Sequence, residues 1–184
     1  MFAQLLGQIA RSLDELQIPY MVIGGQAVLV YGEPRLTRDI DITIGVGPER
    51  LADLLNVARS AGWGLLVDKP EEFVERTLVL PLLDSESGIR IDLIFSYSPY
   101  ERQALARVHR VMIGNVSVSF AAVEDVIIHK MVAGRPRDLE DARGILMKNH
   151  ELDRGYIHRW LADFDQSLGK NCVQSFNELT DSSR

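Results

Sequence analysis

Three aspartates lie in apolar segments, where a charged carboxylate is unusual and indicates a chemical role. Asp39 and Asp41 lie in an apolar run from 39 to 44, and Asp92 lies in a second such run from 89 to 95. Both runs are rich in branched residues that favour strands, in which side chains at i and i+2 share a face. Crowded carboxylates repel one another unless a cation compensates them. Oxygen ligands of this kind suit Mg²⁺, which commonly also binds substrate phosphates.

The bulk composition is typical of a globular protein with one well-packed domain and room for a small appended lobe. The chain has 184 residues, 46% hydrophobic residues and a net charge of −6. The acidic balance argues against a broad basic surface for nucleic acid but leaves a local basic groove open. Cys172 is the only cysteine, so no intrachain disulfide can form. Without a signal-peptide pattern or a long apolar run, we expect a cytoplasmic protein with no membrane contact.

Hydrophobic spacing predicts strands in the first two thirds of the chain and helices in the last third, an α+β fold with a mixed sheet. We predict strands at 20–23, 39–44, 73–83 and 89–95, and either a strand or a hairpin that turns at Gly114-Asn115 over 111–120. We predict helices at 2–17, 26–31, 48–61, 99–107, 122–133, 137–148 and 153–166. The segments 73–83 and 89–95 should form a hairpin, and Gly24-Gly25 a tight turn. The end of the chain, 167–184, reads as a polar, loosely ordered tail.

The order of these motifs resembles the nucleotidyltransferases of the DNA polymerase β superfamily. The likeness rests on glycines after a strand, then Asp-x-Asp on a second strand and one Asp on a later strand. The matching residues are Gly24, Gly25, Gln26, Arg35, Thr37, Asp39, Asp41 and Asp92. The resemblance implies a polymerase β-like palm flanked by helices: a nucleotidyltransferase core at 1–120, a C-terminal helical lobe at 121–166 packed on it, and a tail at 167–184.

A late motif narrows the resemblance to the branch of minimal nucleotidyltransferases that includes the AbiE-type (AbiEii-like) toxins of toxin–antitoxin systems. Its matching residues are Glu124, Asp125, Lys130, Arg135, Asp138 and Asp141. Membership of that branch implies a toxin–antitoxin component with a cognate antitoxin. The likeness covers residues 20–145, most of the chain.

The activity implied is Mg²⁺-dependent transfer of a nucleoside monophosphate from a nucleoside triphosphate (NTP) to an acceptor hydroxyl. Asp39 and Asp41 are the implied metal ligands, Asp92 is a third ligand or a base, and two Mg²⁺ ions are expected. The resemblance leaves the acceptor open: a tRNA 3′ end, a protein side chain or a small molecule.

The remaining site residues follow from the same resemblance. Gly24 and Gly25 let the backbone approach phosphates, next to the N–H groups at a helix start. Lys130 is implied to be a catalytic charge on the nucleotide phosphates, and Asp138 orients Lys130 or Arg135 or touches the base or ribose. The implied nucleotide-binding residues are Gly24, Gly25, Gln26, Arg35, Thr37 and Lys130. Many superfamily members carry Ser or Thr where this chain has Gln26.

Each feature also has a simpler explanation. Asp39 and Asp41 are compatible with a solvated edge strand, Asp92 with a surface position, and Lys130 with an exposed helix face. Asp138 is compatible with a first-turn acid after Pro136. At the level of function, the alternatives to an enzyme are a nucleotide-binding regulatory or toxin–antitoxin subunit without turnover, and a scaffolding domain.

Overall fold

The computed structural model describes residues 1–96 and 98–181, and over these it confirms the predicted α+β fold. The strands are Tyr20–Val22 (β1), Asp39–Ile44 (β2), Trp63–Leu65 (β3), Val79–Asp84 (β4), Arg90–Phe95 (β5), His109–Ile113 (β6) and Val116–Phe120 (β7). The α-helices are Phe2–Glu15 (α1), Gly24–Tyr31 (α2), Leu51–Ala61 (α3), Pro70–Thr77 (α4), Pro99–Leu105 (α5), Val123–Ala133 (α6), Pro136–Lys148 (α7), Arg154–Leu168 (α8) and Cys172–Asp181 (α9). Over these described residues, no helix is both long enough and apolar enough to span a bilayer.

The seven strands form one mixed sheet in the order β3-β4-β5-β2-β1-β7-β6. Strand β2 runs parallel to β5 and antiparallel to β1, and β1 runs parallel to β7. The remaining neighbours are antiparallel. Because β2 has a partner on each side, the edge-strand explanation for Asp39 and Asp41 is wrong.

The chain divides into two compact units. Residues 1–26 and 36–121 form the first, which contains the whole sheet and is called the sheet unit here. Residues 27–35 and the chain from 122 onward form the second, called the helical unit. Within the helical unit, Lys148 Nζ donates to the carbonyl of Gly32 at 3.0 Å, and Asn149 Nδ2 donates to the carbonyl of Tyr31 at 2.9 Å. These long-range hydrogen bonds tie residues 27–35 to the end of α7. The predicted domain boundary at 120 had instead placed this segment in the nucleotidyltransferase core.

The two central parallel strands bury one face completely. Ile40, Ile42 and Ile44 of β2 are fully buried, and Ile91, Leu93 and Phe95 of β5 are at most 2% exposed. Burying a large apolar side chain stabilises a fold by about 1.5–3 kcal/mol. A slip of one residue would exchange the faces of a strand, so this burial excludes such a slip.

Several predicted segments differ from the structure. The predicted strand 73–83 is a strand only from Val79; before it, Pro70–Thr77 is helix α4, with Pro70 in the first turn and Val74 buried. The apolar pair at 73 and 74 reads equally well as part of a short buried strand, which is why periodicity alone failed here. Gly24 and Gly25 begin helix α2 itself rather than forming a separate turn, and the short strand β3 was not predicted.

The predicted loosely ordered tail is wrong for residues 172–181, which form helix α9. Cys172, Phe176 and Leu179 are buried on one side of it, and Asp165 of α8 accepts hydrogen bonds from the backbone N–H groups of Cys172 (2.5 Å) and Val173 (3.0 Å). Three widely spaced apolar residues in a polar segment were too weak a signal to show this docking. Residues 182–184 of the predicted tail lie outside the described residues.

The packing of α9 yields a stability prediction. Phe176 is fully buried, with its ring 5.2 Å from that of His158, so Phe176→Ala should lower the free energy of unfolding by about 3–4 kcal/mol. Urea denaturation measures this change. Asn177→Ala, at an exposed position of the same helix, should leave the midpoint nearly unchanged. Equal midpoints for Phe176→Ala and the wild type would contradict the docking of α9.

Candidate active site

Register places the three predicted carboxylates on one face of the sheet. In the parallel pair β2–β5, Asp41 lies opposite Asp92, and Asp39 lies opposite Arg90. All three aspartates are half-buried, on the side of the strands opposite the isoleucines. The structure therefore brings Asp39, Asp41 and Asp92 together on neighbouring strands, with Arg90 as a fourth charged side chain on that face.

Gly24 provides the space that the Asp41 carboxylate occupies. A Cβ added to Gly24 would lie 2.1 Å from Asp41 Oδ2, and the φ of Gly24 is +62°. The backbone N–H of Ile23 also donates to the carbonyl of Asp41 at 2.9 Å. The carboxylate thus lies against the first residue of α2, where the helix dipole favours negative charge. Glycine is required here both for conformation and for space.

Gln26 and Thr37, both predicted to bind nucleotide, contact each other. Gln26 Nε2 donates to Thr37 Oγ1 at 2.6 Å, and both residues are 7% exposed. The bond ties the first turn of α2 to the loop that leads into β2. Where many superfamily members carry Ser or Thr, this chain therefore has a longer side chain that spans from the helix to the loop.

Arg90 supplies positive charge to the carboxylate face. Its Nε–H is shared between the two oxygens of Asp92, each at 2.9 Å. The Asp92 side chain is 15% exposed and that of Arg90 53%. This ion pair lies at the start of β5, beside the position of Asp39 on β2.

The three carboxylates fit a divalent cation in chemistry and in sheet position, but they are not assembled around one. Their oxygens are the hard ligands that Mg²⁺ prefers. Among the residues that the structure describes, no three His, Cys, Asp or Glu side chains are grouped as a metal site. Asp92 is instead held by Arg90. A site using all three aspartates would require Asp92 to exchange this guanidinium for the ion.

The late motif folds into a buried ion-pair cluster within the helical unit. Lys130 Nζ lies 2.8 Å from Asp138 Oδ1 and 3.0 Å from Asp141 Oδ2, and all three side chains are at most 8% exposed. Arg35 Nε contacts Asp141 Oδ1 at 3.1 Å, and Arg135 Nε contacts Asp138 Oδ2 at 2.7 Å. The explanation of Lys130 as a solvated helix residue is wrong.

Local structure explains why Asp138 and Asp141 reach the same lysine. Helix α6 ends at Ala133 and is capped by Gly134, which has a left-handed backbone, and Pro136 begins α7. Asp138 is a first-turn acid, as the simpler explanation held, and it also pairs with Lys130. Asp141 lies three residues on, on the same side of the helix. No role had been predicted for Asp141 in the cluster, although this i, i+3 spacing was visible in the sequence.

The cluster shifts the protonation of Asp138. Burial raises the pKa of its carboxyl, and the hydrogen bonds from Lys130 and Arg135 more than reverse that effect. The net result is a pKa below the ordinary value for aspartate. Because the folded state binds its proton less tightly than the unfolded chain, Asp138 stabilises the fold when ionised.

The first two acids of the late motif hold the start of α8. Tyr156 Oη donates to Asp125 Oδ1 at 2.7 Å, and the backbone N–H of Asp153 donates to Glu124 Oε1 at 3.1 Å. Burial, followed by the proximity of Glu124 and Asp125, raises the pKa of Tyr31 to about 12. Both acids therefore have a structural task within the helical unit.

Sequence comparison identifies a family over nearly the whole chain. The profile of a family described as "nucleotidyltransferase of unknown function (DUF6036)" matches residues 2–179. No curated protein matches the chain. The match supports the predicted resemblance to nucleotidyltransferases, whereas the AbiE-type branch stays a prediction.

Solved structures share the fold at low sequence identity. The crystal structure of ANT(2″)-Ia with adenylyl-2″-tobramycin has a TM-score of 0.61 at 16% identity, covering 90% of this chain and 98% of that one. An antigenic nucleotidyltransferase-like protein from Paracoccidioides brasiliensis has a TM-score of 0.55 at 16% identity, covering 94% and 92%. The lincosamide antibiotic adenylyltransferase LnuA, lincomycin-bound, has a TM-score of 0.52 at 14% identity, covering 74% and 91%. At these identities the likeness is one of fold.

The close approach of Gly24 and Asp41 can be tested by stability. Gly24→Ala and Gly62→Ala both place alanine at a left-handed position, which costs about 1 kcal/mol. A Cβ at Gly62 meets nothing within 4 Å, so Gly62→Ala is the matched control. Gly24→Ala should lower the free energy of unfolding by about 1–3 kcal/mol more than Gly62→Ala does, because the Asp41 carboxylate must move. Equal losses in urea denaturation would contradict this contact.

The lowered pKa of Asp138 gives a pH-dependent prediction. At pH 7, Asp138→Asn should lower the free energy of unfolding by about 3 kcal/mol, because buried Lys130 loses one of its two carboxylates. The contribution of Asp138 is present above the ordinary aspartate pKa and is lost as pH falls through the lowered folded value. The difference in the free energy of unfolding between the variant and the wild type should therefore become smaller below about pH 4.

The control for this variant is Arg135→Gln, which removes the 78% exposed partner of Asp138. Its cost should stay below about 1 kcal/mol, because exposed ion pairs contribute little. Denaturant titrations from pH 3 to 8 measure both variants. A gap between Asp138→Asn and the wild type that is independent of pH would contradict the role of the ionised carboxylate.

Proposed function

This chain belongs to the DUF6036 family of nucleotidyltransferases, and we propose that it transfers a nucleoside monophosphate from an NTP to an acceptor hydroxyl. Mg²⁺ held by Asp39, Asp41 and Asp92 is part of this proposal. The observation that carries it is the β2–β5 register, which sets Asp41 opposite Asp92 and places Asp39 on the same face. That face adjoins the glycine start of α2, where backbone N–H groups favour phosphate.

In the proposed reaction, the acceptor oxygen forms a bond to the α-phosphorus of the NTP, and the bond from that phosphorus to pyrophosphate breaks. When bound, Mg²⁺ would neutralise the triphosphate and favour ionisation of the attacking hydroxyl. Asp92 would serve either as the third metal ligand or as the base that accepts the hydroxyl proton. Gly24 and Gly25 would admit the phosphates, and the Gln26–Thr37 bond would hold the loop before β2 in place.

The helical unit contributes Arg35, Lys130 and Asp138 to the proposal through the family resemblance. Among the roles that the resemblance left open, the 2.8 Å hydrogen bond supports Asp138 as the residue that orients Lys130. Lys130 already faces two carboxylates, at 2.8 and 3.0 Å. We therefore propose that Lys130 acts on the nucleotide only together with the two carboxylates that hold it, Asp138 and Asp141.

The acceptor is proposed as a class of hydroxyl compound rather than a named molecule. Structural neighbours include a complex with adenylyl-2″-tobramycin and a lincomycin-bound adenylyltransferase, which favours a small-molecule hydroxyl. A tRNA 3′ end, with the chain as a toxin paired to a cognate antitoxin, and a protein side chain are the other candidates. The net charge of −6 disfavours long stretches of nucleic-acid backbone.

A second candidate function is nucleotide binding without turnover, as a regulatory or toxin–antitoxin subunit. Two observations favour it: Gln26 is engaged by Thr37, and the described residues contain no preassembled metal site. It predicts that an NTP at 100 times its dissociation constant stabilises the protein by about 2.7 kcal/mol without being consumed.

Transfer can be measured directly. The purified chain is incubated with each α-³²P-labelled NTP, Mg²⁺ and cell extract, and label is followed into RNA, protein and small molecules. We expect Asp39→Asn and Asp41→Asn to lower the rate by about a hundredfold or more, because each removes charge at the reacting phosphates. Asp68→Asn, at an exposed position in the sheet unit, is the matched control and should leave the rate unchanged.

Two results would overturn the enzyme proposal. One is the absence of both NTP consumption and label transfer by the wild type under all four nucleotides. The other is full transfer by Asp41→Asn. NTP-dependent stabilisation without transfer would instead support the binding subunit.

A further inference from the structure

Arg90 occupies the place at which a cation would engage the third carboxylate. It begins β5, opposite Asp39, and its Nε–H is 2.9 Å from both oxygens of Asp92. Two oxygens sharing one N–H orient the whole carboxylate toward the guanidinium. Asp92 therefore faces Arg90 with both of its oxygens in this structure.

The exposures of the two partners differ. The Asp92 side chain is 15% exposed and fixed on a central strand, whereas the Arg90 side chain is 53% exposed. A long arginine side chain that is half in solvent can swing away with little loss of packing. Asp92, on a strand paired on both sides, is held in place. Of the two, Arg90 is the partner that can move.

We infer that Arg90 is the resident counterion of the carboxylate face, and that it weakens divalent-cation binding until a nucleotide draws its guanidinium away from Asp92. The inference rests on the proposed function. A positive charge beside a cation site disfavours occupancy by a second cation, in the same way that like charges shift a pKa. Arg90 released from Asp92 presents a planar fork of donors that matches phosphate. Nucleotide and divalent cation would then bind cooperatively, with Arg90 as the coupling residue.

The test measures Mn²⁺ binding to the full chain by electron paramagnetic resonance of the free ion, without activity as a readout. Mn²⁺ is a suitable probe because it favours the same oxygen ligands. Arg90→Gln should bind Mn²⁺ about tenfold more tightly than the wild type in the absence of nucleotide. An ATP analogue with a methylene bridge between the α and β phosphates should then raise Mn²⁺ affinity much less in Arg90→Gln than in the wild type.

Two controls separate this role from a general charge or folding effect. Arg76→Gln makes the same change of net charge at an exposed position of α4 and should leave Mn²⁺ affinity as in the wild type. In an Asp92→Asn background, Arg90→Gln should raise Mn²⁺ affinity by a smaller factor than in the wild-type background, because Arg90 no longer competes for Asp92. Urea denaturation verifies that each variant is folded before titration.

The outcomes separate the inference from the proposed function. If the wild type binds Mn²⁺ and transfers nucleotide while Arg90→Gln binds Mn²⁺ with unchanged affinity, the role of Arg90 is overturned and the proposed function stands. Equal enhancement by the analogue in both proteins overturns the coupling. If neither protein binds Mn²⁺ and no transfer occurs, both the inference and the metal-dependent function fail.

Discussion

The parallel pairing of β2 with β5 is the constraint on which the rest of the site depends. Apolar side chains of both strands fill one face, and Ile40, Ile42, Ile44 and Ile91 are fully buried. A slip of one residue would drive Asp39, Asp41 and Asp92 into that apolar layer, where an unpaired carboxylate is very costly. The hydrophobic face thereby fixes which side chains form the polar one, and the observed register sets Asp41 opposite Asp92.

Asp41, Asp92 and Asp138 are each compensated by a different device. Asp41 lies against the glycine start of a helix, Asp92 is paired with Arg90, and in the helical unit Asp138 shares Lys130 with Asp141. The first two compensations are open to exchange with a ligand, because a helix N-terminus and a half-exposed arginine also bind phosphate. The third is buried, and within it Lys130 faces two carboxylates at hydrogen-bonding distance.

The motif that resembles the superfamily is matched at Gly24, where the backbone conformation requires glycine. It is not matched at position 26, where one side chain can replace another. Gly24 has no substitute, because a Cβ would strike Asp41 and the left-handed backbone is strained for other residues. Position 26 tolerates glutamine because its long amide reaches Thr37 and gives the helix start a buried partner. The departure from Ser or Thr is thus accommodated within the fold.

The sequence by itself determined the period-2 alternation that sets Asp39 and Asp41 together, most helix boundaries marked by Gly and Pro, the α+β class and the nucleotidyltransferase family. Those properties are local, or are carried by motif order. Tertiary structure alone decided that Asp92 stands opposite Asp41, that 27–35 joins the helical unit and that α9 docks through Phe176. These features depend on contacts between residues far apart in sequence, and burial at those contacts overrides weak local preferences. For this reason the hydrophobic periodicity of the chain does not predict them.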